Sequence, residues 1–170
     1  RVDNAYSLIN EMLFTSDFSD RKRMLEIIRM IKSRMQSSMV AQGHTTAAMR
    51  AMSYISDMSY YSDLVNGIGF YRFIDGLEKN FDDKKADEVN SNLKILMSLI
   101  LHRDNLMVDI TGSQAAMKSI YPRTHKLKEK LSAEVSVPAE FDIKPDKLNE
   151  GFRTASQVQF VAKVGNFIKQ

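Results

Sequence analysis

The stretch from Gln42 to Phe81, QGHTTAAMRAMSYISDMSYYSDLVNGIGFYRFIDGLEKNF, constrains what this chain can fold into more than any other. It reads as two helical blocks joined near Ser56 and Asp57. Met49, Met52 and Ile55 recur at helical spacing in the first block. Tyr61, Leu64, Val65, Ile68, Tyr71, Ile74 and Leu77 do so in the second, the pattern of a helix buried on one face. Four of the seven glycines of the chain lie here: Gly43, Gly67, Gly69 and Gly76. A glycine inside a helix costs about 1 kcal/mol against alanine. The last three therefore signal close packing or a bend within the second block.

The flanking segments are also helical. Asn4 to Phe14 carries Leu8, Ile9, Met12 and Leu13, a short amphipathic helix. Ser19 or Asp20 is a good start for a longer one, with Met24, Ile27, Ile28, Ile31, Met35 and Met39 on one side. Arg21, Lys22, Arg29, Lys32 and Arg34 fall largely off that stripe and read as a solvated face. The eleven methionines read as flexible core filling before they read as a binding groove. Asp82 to Asp87 reads as a charged turn. Val89, Leu93, Leu96, Met97 and Ile100 then mark a helix that ends near His102 and Arg103, where cations suit unpaired carbonyls. Helical spacing returns over Ser113 to Ile120, is interrupted at Pro122, and resumes to Leu127 and Leu131.

Two stretches change period. In Asn105 to Thr111, Leu106, Val108 and Ile110 alternate with Met107, Asp109 and Thr111, which predicts a half-buried strand ended by Gly112. In Gly151 to Phe167, Val158, Phe160, Ala162 and Val164 alternate with Gln157, Gln159, Val161 and Lys163, a second strand. Between them Ser132 to Glu150 holds Pro138 and Pro145 and no clear period, and reads as a linker. The expected fold class is α/β, in the two-layer α+β sense: helix-rich, with few strands. Two strands are too few for a stable sheet, so the sheet is expected to be incomplete in this chain. The expected domains are residues 1–131, a linker over 132–150, and a new unit opening at 151–170. Arg1 leads straight into a helical pattern, which predicts a piece of a longer polypeptide.

Composition narrows function. The 24 basic and 21 acidic residues are interspersed and leave a net charge of +3. No concentrated basic face predicts a nucleic-acid partner. No apolar run reaches the roughly 18 residues of a membrane span, and no signal peptide shows. Cysteine is absent, so disulfides and thiolate metal ligands are excluded. The three histidines, His44, His102 and His125, are far apart and head no zinc motif. GIG at Gly67 lacks the lysine and the preceding strand of a phosphate loop. Acidic pairs such as Asp82 with Asp83 and Asp87 with Glu88 read as solvated. No catalytic or metal-binding residue is predicted. His44 stands in a small polar patch, Gln42 to Thr46, where a helix break would place its imidazole on an exposed or concave surface.

The runs SDRKRMLEIIRMIKSRMQSSMVAQGHTTAAMRAMSYIS and YSDLVNGIGFYRFIDGLEKNFDD resemble the insulinase (pitrilysin) superfamily of zinc peptidases, in the presequence-protease branch. The resemblance is carried in order by Gly43, His44, Arg50, Gly67 to Phe73, Asn80 to Asp82, and Asn105 to Gly112. NEGFRTASQVQFVAKVGNF is similar to the first strand of a fourth module in those proteins. The resemblance covers essentially the whole chain, and its order says more than any single motif. It implies four α/β modules in two bowl-shaped halves around a peptide-holding chamber. It also implies zinc in the first module, which nothing here matches.

On that resemblance the chain is expected to be a non-catalytic segment: chamber wall, half-to-half contact and substrate contact within a zinc metallo-endopeptidase that degrades peptides. Its partners are then the other modules and peptide substrates, with no nucleic acid and no membrane. Zinc belongs to the parent enzyme and not to this segment. The expected location is cytoplasmic or organellar rather than secreted. His44, Arg50 and Tyr54 are the expected chamber-facing residues, since Arg50 and Tyr54 are four apart on one helical face and an arginine suits peptide carboxylates or carbonyls. Two alternatives stay open: a non-catalytic binding subunit of the same superfamily, and a stand-alone helical interaction module.

Overall fold

A computed structural model describes residues 2–134, 141–154 and 157–167. Seven α-helices follow in order: α1 (Val2–Phe14), α2 (Arg21–Ala41), α3 (Gly43–Met52), α4 (Asp57–Asn66), α5 (Ile68–Lys79), α6 (Asp83–Ile100) and α7 (Gln114–Glu129). A single 3-10 turn, Arg103–Asn105, stands between α6 and α7. They form two compact units, one from Arg1–Arg21 with Asp83–Pro138 and one from Lys22–Asp82 with Ala139–Gln170.

The structure is all-α, which overturns the expected α/β two-layer class. Among the described residues there is no strand, and the one isolated bridge joins His102 to Ser132. Leu106 to Gly112 and the described residues of 151–167 have neither helix nor strand. Alternation selects a face for side chains, but a strand also needs a neighbour to take its backbone N–H and C=O groups. Among the described residues neither stretch pairs as a strand, and Met107, Val161 and Phe167 stand open to solvent.

In the unit built on α1, α6 and α7, α1 lies against α7. The contact uses polar side chains: Tyr6 bonds Thr124 at 2.5 Å, Lys130 donates to Asn10 at 2.6 Å, and Asp3 pairs with Arg123. Val2, Tyr6, Asn10 and Leu13 are the half-buried side of α1, while Leu8, Ile9 and Met12 are exposed. Of the apolar stripe read from the sequence, Leu13 alone lies on the covered side. Ala86, Leu127 and Leu131 are the buried apolar residues of this unit. Asp83 to Asp87 is the first turn of α6 rather than a loop. Acidic residues suit a helix N-terminus, and Arg21 bridges Asp83 and Asp87, each at 2.8 Å.

Pro122 does not interrupt α7, which runs unbroken from Gln114 to Glu129. Proline removes one backbone donor and loosens the turn before it. Side chains add donors there: Arg123 bonds the Ser119 carbonyl, and the Thr124 hydroxyl donates to the Ile120 carbonyl at 3.3 Å. Ser113 caps the start by accepting from the Ala116 N–H.

In the second unit α2 turns its Met24, Ile28, Ile31, Met35 and Met39 stripe inward, with Ile27 left exposed. Charged residues tie it to α5. Lys32 donates to Asp75 at 2.7 Å and Glu78 at 2.8 Å, and Arg29 to Glu78 at 3.1 Å. Lys32 is thus not part of a solvated face. The break between the two central blocks falls where the sequence places it: α3 ends at Met52, and Ser56 caps α4 by accepting from the Ser59 N–H. The second block is two helices, not one, because the chain breaks at Gly67.

Candidate functional site

The α4–α5 corner is built around one carboxylate. Gly67 ends α4 in an extended conformation, so α5 starts with no capping side chain of its own. Asp63, one turn back in α4, supplies the cap from a distance. Its Oδ1 accepts from the Ile68 N–H and its Oδ2 from the Gly69 N–H, each at 3.0 Å. These are orphan donors at a helix N-terminus, where negative charge is also favoured. The approach is close enough to require glycine. A Cβ on residue 67 would sit 2.5 Å from Asp63 Oδ1 and 2.8 Å from its Cα, and one on residue 69 would sit 2.7 Å from Oδ2.

Asp63 is 3% exposed and is also paired: Arg50 Nη1 donates to its Oδ2 at 2.6 Å. Arg50, itself 9% exposed, reaches on to a residue 100 positions away. Its Nε donates to Glu150 Oε2 at 2.8 Å, and Nη2 lies 2.8 Å from the same oxygen. The Tyr54 hydroxyl donates to that oxygen at 2.5 Å, and Arg72 Nη2 donates to Oε1 at 2.8 Å. Arg50 also lies over the Tyr54 ring, and Arg72 over the ring of Phe152.

Burial pushes the Glu150 carboxyl up, but hydrogen bonds from Tyr54, Arg72 and Arg50 outweigh it and hold the group down to about 2. Burial and the bond to Glu150 raise the Tyr54 hydroxyl. Burial pulls the Arg50 guanidinium down, yet its bond to Glu150 and the charge of Asp63 leave it raised. The cluster thus sets two guanidinium groups, Arg50 and Arg72, against two carboxyl groups, Asp63 and Glu150. A small pocket of about 200 Å³ lies beside it, with Tyr54, Tyr60, Leu64, Arg72, Asp146 and Leu148 among its lining residues. Pockets for drug-sized molecules run from about 300 Å³ upward, so this one is smaller than such a site.

Of the three residues singled out in the sequence, Arg50 and Tyr54 meet in this cluster. Tyr54 lies in the turn after α3, not on the helix that the four-residue spacing implies. His44 is exposed near the start of α3, its ring 5.9 Å from that of Phe160. The sequence reading missed Asp63, Arg72 and Glu150. Asp63 had a signal, an acid four and six residues before two glycines at a helix start. Glu150 had none, since only the fold brings it to Arg50.

The residues present do not fit a zinc ion. Among the described residues no group of three His, Asp or Glu side chains converges to hold a metal. His102 is buried with Nε2 against the Glu134 carbonyl and Nδ1 accepting from the Asp104 N–H, and His125 lies 3.7 Å from Glu129. No helix among the described residues is long and apolar enough to cross a membrane.

Residues 1–77 match the family model described as peptidase M-16C associated. The chain is 24% identical over 167 residues to presequence protease 1, chloroplastic/mitochondrial, of Arabidopsis thaliana, an overlap of 98% of this chain and 15% of that protein. It is 24% identical over 118 residues to the mitochondrial presequence protease of Yarrowia lipolytica, covering 69% of this chain and 12% of that protein. These matches support an insulinase-family segment of the presequence-protease type. The chain is also 27% identical over 167 residues to protein HypA of Clostridium perfringens, over 98% of this chain and 17% of HypA. The segment thus spans less than a fifth of the length of these relatives. No solved structure matches it significantly.

Proposed function

We propose that this chain is a non-catalytic segment of a peptide-degrading zinc metallo-endopeptidase, where it forms chamber wall and contacts between the two halves of the enzyme. In that enzyme residues 1–131 close the third insulinase-type module, 132–150 link onward, and 151–170 open the fourth. The observation that carries this reading is the alignment with a presequence protease over 98% of this chain but only 15% of the relative. The uncovered apolar side of α6, Ile95, Leu96, Leu99 and Ile100, suits contact with another module. The parent works in an organelle or the cytoplasm, and the organellar reading is supported by the names of the Arabidopsis thaliana and Yarrowia lipolytica relatives.

His44, Arg50 and Tyr54 are the proposed peptide-facing residues, Arg50 and Tyr54 through the position that Glu150 occupies. In the whole peptidase, Arg50→Ala is expected to raise KM with zinc content unchanged. An unchanged KM removes Arg50 from the peptide path. Stoichiometric zinc and chelator-sensitive cleavage by this chain alone would overturn the non-catalytic assignment.

A further inference from the structure

We propose that Arg50, Tyr54 and Arg72 form a carboxylate-receiving site that the chain fills with its own Glu150, and that an extended peptide carrying an acidic residue takes the same place when the Glu150 segment leaves. The inference rests on the peptide-facing reading of Arg50 and Tyr54 and names the chemistry they select.

Three observations carry it. Three donor side chains converge on one carboxylate, two of them arginines, and together they use both of its oxygens. Arg50, the central donor, is set independently of that carboxylate. Asp63 holds Arg50 from behind at 2.6 Å, and Asp63 is itself held by the Ile68 and Gly69 N–H groups. Removing Glu150 leaves Arg50 with a buried counterion at the corner, so the central cation of the site keeps its support. A binding group held by its own support needs little ordering when a ligand arrives.

The occupant, in contrast, lies in an irregular and largely exposed strap. Residues 141–154 contain no helix or strand, and all are exposed or half-buried. Phe141 is 83% exposed and Leu148 46%. The Phe152 ring of this strap lies beneath Arg72, and Asp146 and Leu148 stand at the pocket edge. The strap thus presents an acid, a glycine and an aromatic in extended form, Glu150-Gly151-Phe152. An acidic residue followed two positions later by an aromatic is the peptide pattern that the site fits: carboxylate on Arg50 and Tyr54, ring on Arg72.

The test uses the whole polypeptide that carries this chain, with zinc removed by chelator so that probes are not cut. Fluorescent peptides LNEGFRT and LNQGFRT are titrated against the natural protein and Glu150→Ala. The acidic peptide is expected to bind Glu150→Ala at least about tenfold more tightly than it binds the natural protein, where the strap competes. It is also expected to bind at least about tenfold more tightly than the glutamine peptide, which lacks the charge. Adding Arg72→Ala, a change at an exposed side chain, is expected to lower the acidic peptide's affinity. Circular dichroism reports whether Glu150→Ala keeps its helices, and Glu150→Gln repeats the comparison if it does not. Equal binding of the two peptides, or equal binding to the natural and variant proteins, overturns the proposal. This readout is binding without turnover, so it fails separately from the KM test of Arg50→Ala.

Discussion

Arg50 and Asp63 form a buried ion pair 2.6 Å long that also fixes where one helix ends and the next begins. The same carboxylate neutralises the arginine and caps α5, so the pair joins charge balance to backbone geometry. Replacing Asp63 with alanine removes both. Breaking one partner from a buried pair costs about 3–5 kcal/mol. Asp63→Ala is therefore expected to lose about that much stability in urea unfolding, even though Arg50 keeps Glu150. A loss comparable to that of an exposed substitution would show that the corner does not depend on Asp63.

Two glycines next to this carboxylate should behave oppositely to a third in the same helix. A Cβ at Gly67 or Gly69 meets Asp63 well inside contact distance, whereas nothing lies within 4 Å of one at Gly76. Gly76 stands in the interior of α5, where alanine is the better helix former. Gly76→Ala is expected to stabilise by about 0.5–1 kcal/mol. Gly67→Ala is expected to destabilise, because the backbone of Asp63 must shift. Thermal melts of the two variants check the signs, and a stabilising Gly67→Ala would contradict the close approach.

These corners show what the sequence could and could not reveal. The joint near Ser56, the helix opening at Ser113 and most of the α2 stripe are legible because helical periodicity is local. Gly67 signals close packing or a bend within one block, and the structure makes it a close approach to Asp63 at the break between two helices. The exposed Leu8 and Met12 show that an apolar stripe does not say which side will be covered. The strand patterns over 105–111 and 151–167 failed for the same reason, since alternation is local but pairing is not. The site was half legible: Arg50 and Tyr54 lie four residues apart, while Glu150 comes from 100 positions along the chain.

The charge of Glu150 sets a pH dependence. Its folded-state value is near 2, below the ordinary 4.5 of a glutamate, so it contributes stability while ionised. That contribution is fully present above about pH 4.5 and is lost as pH falls toward 2. Melting temperature followed from pH 6 downward is expected to drop more steeply for the natural protein than for Glu150→Gln across that window. Parallel curves would mean that the carboxylate gains nothing from its three donors.

His102 makes a last and separate case, in the other unit. It lies just past α6 and reads in sequence as a cation suited to the helix end. Instead it is 7% exposed, with Nδ1 accepting from the Asp104 N–H and Nε2 facing the Glu134 carbonyl. An acceptor at Nδ1 leaves the proton on Nε2, so the neutral ring donates to Glu134 and accepts from Asp104. The neighbouring backbone repeats the tie, with Arg103 N–H donating to the Ser132 carbonyl at 2.9 Å and Ser132 N–H to the Leu101 carbonyl at 3.1 Å. His102 thus fastens the end of α6 to the chain that leaves α7. His102→Ala strands two backbone groups and is expected to cost about 1–3 kcal/mol in urea unfolding. His102→Gln, which can still donate and accept, is expected to recover part of that loss. Equal losses for the two variants would assign the effect to packing rather than to hydrogen bonding.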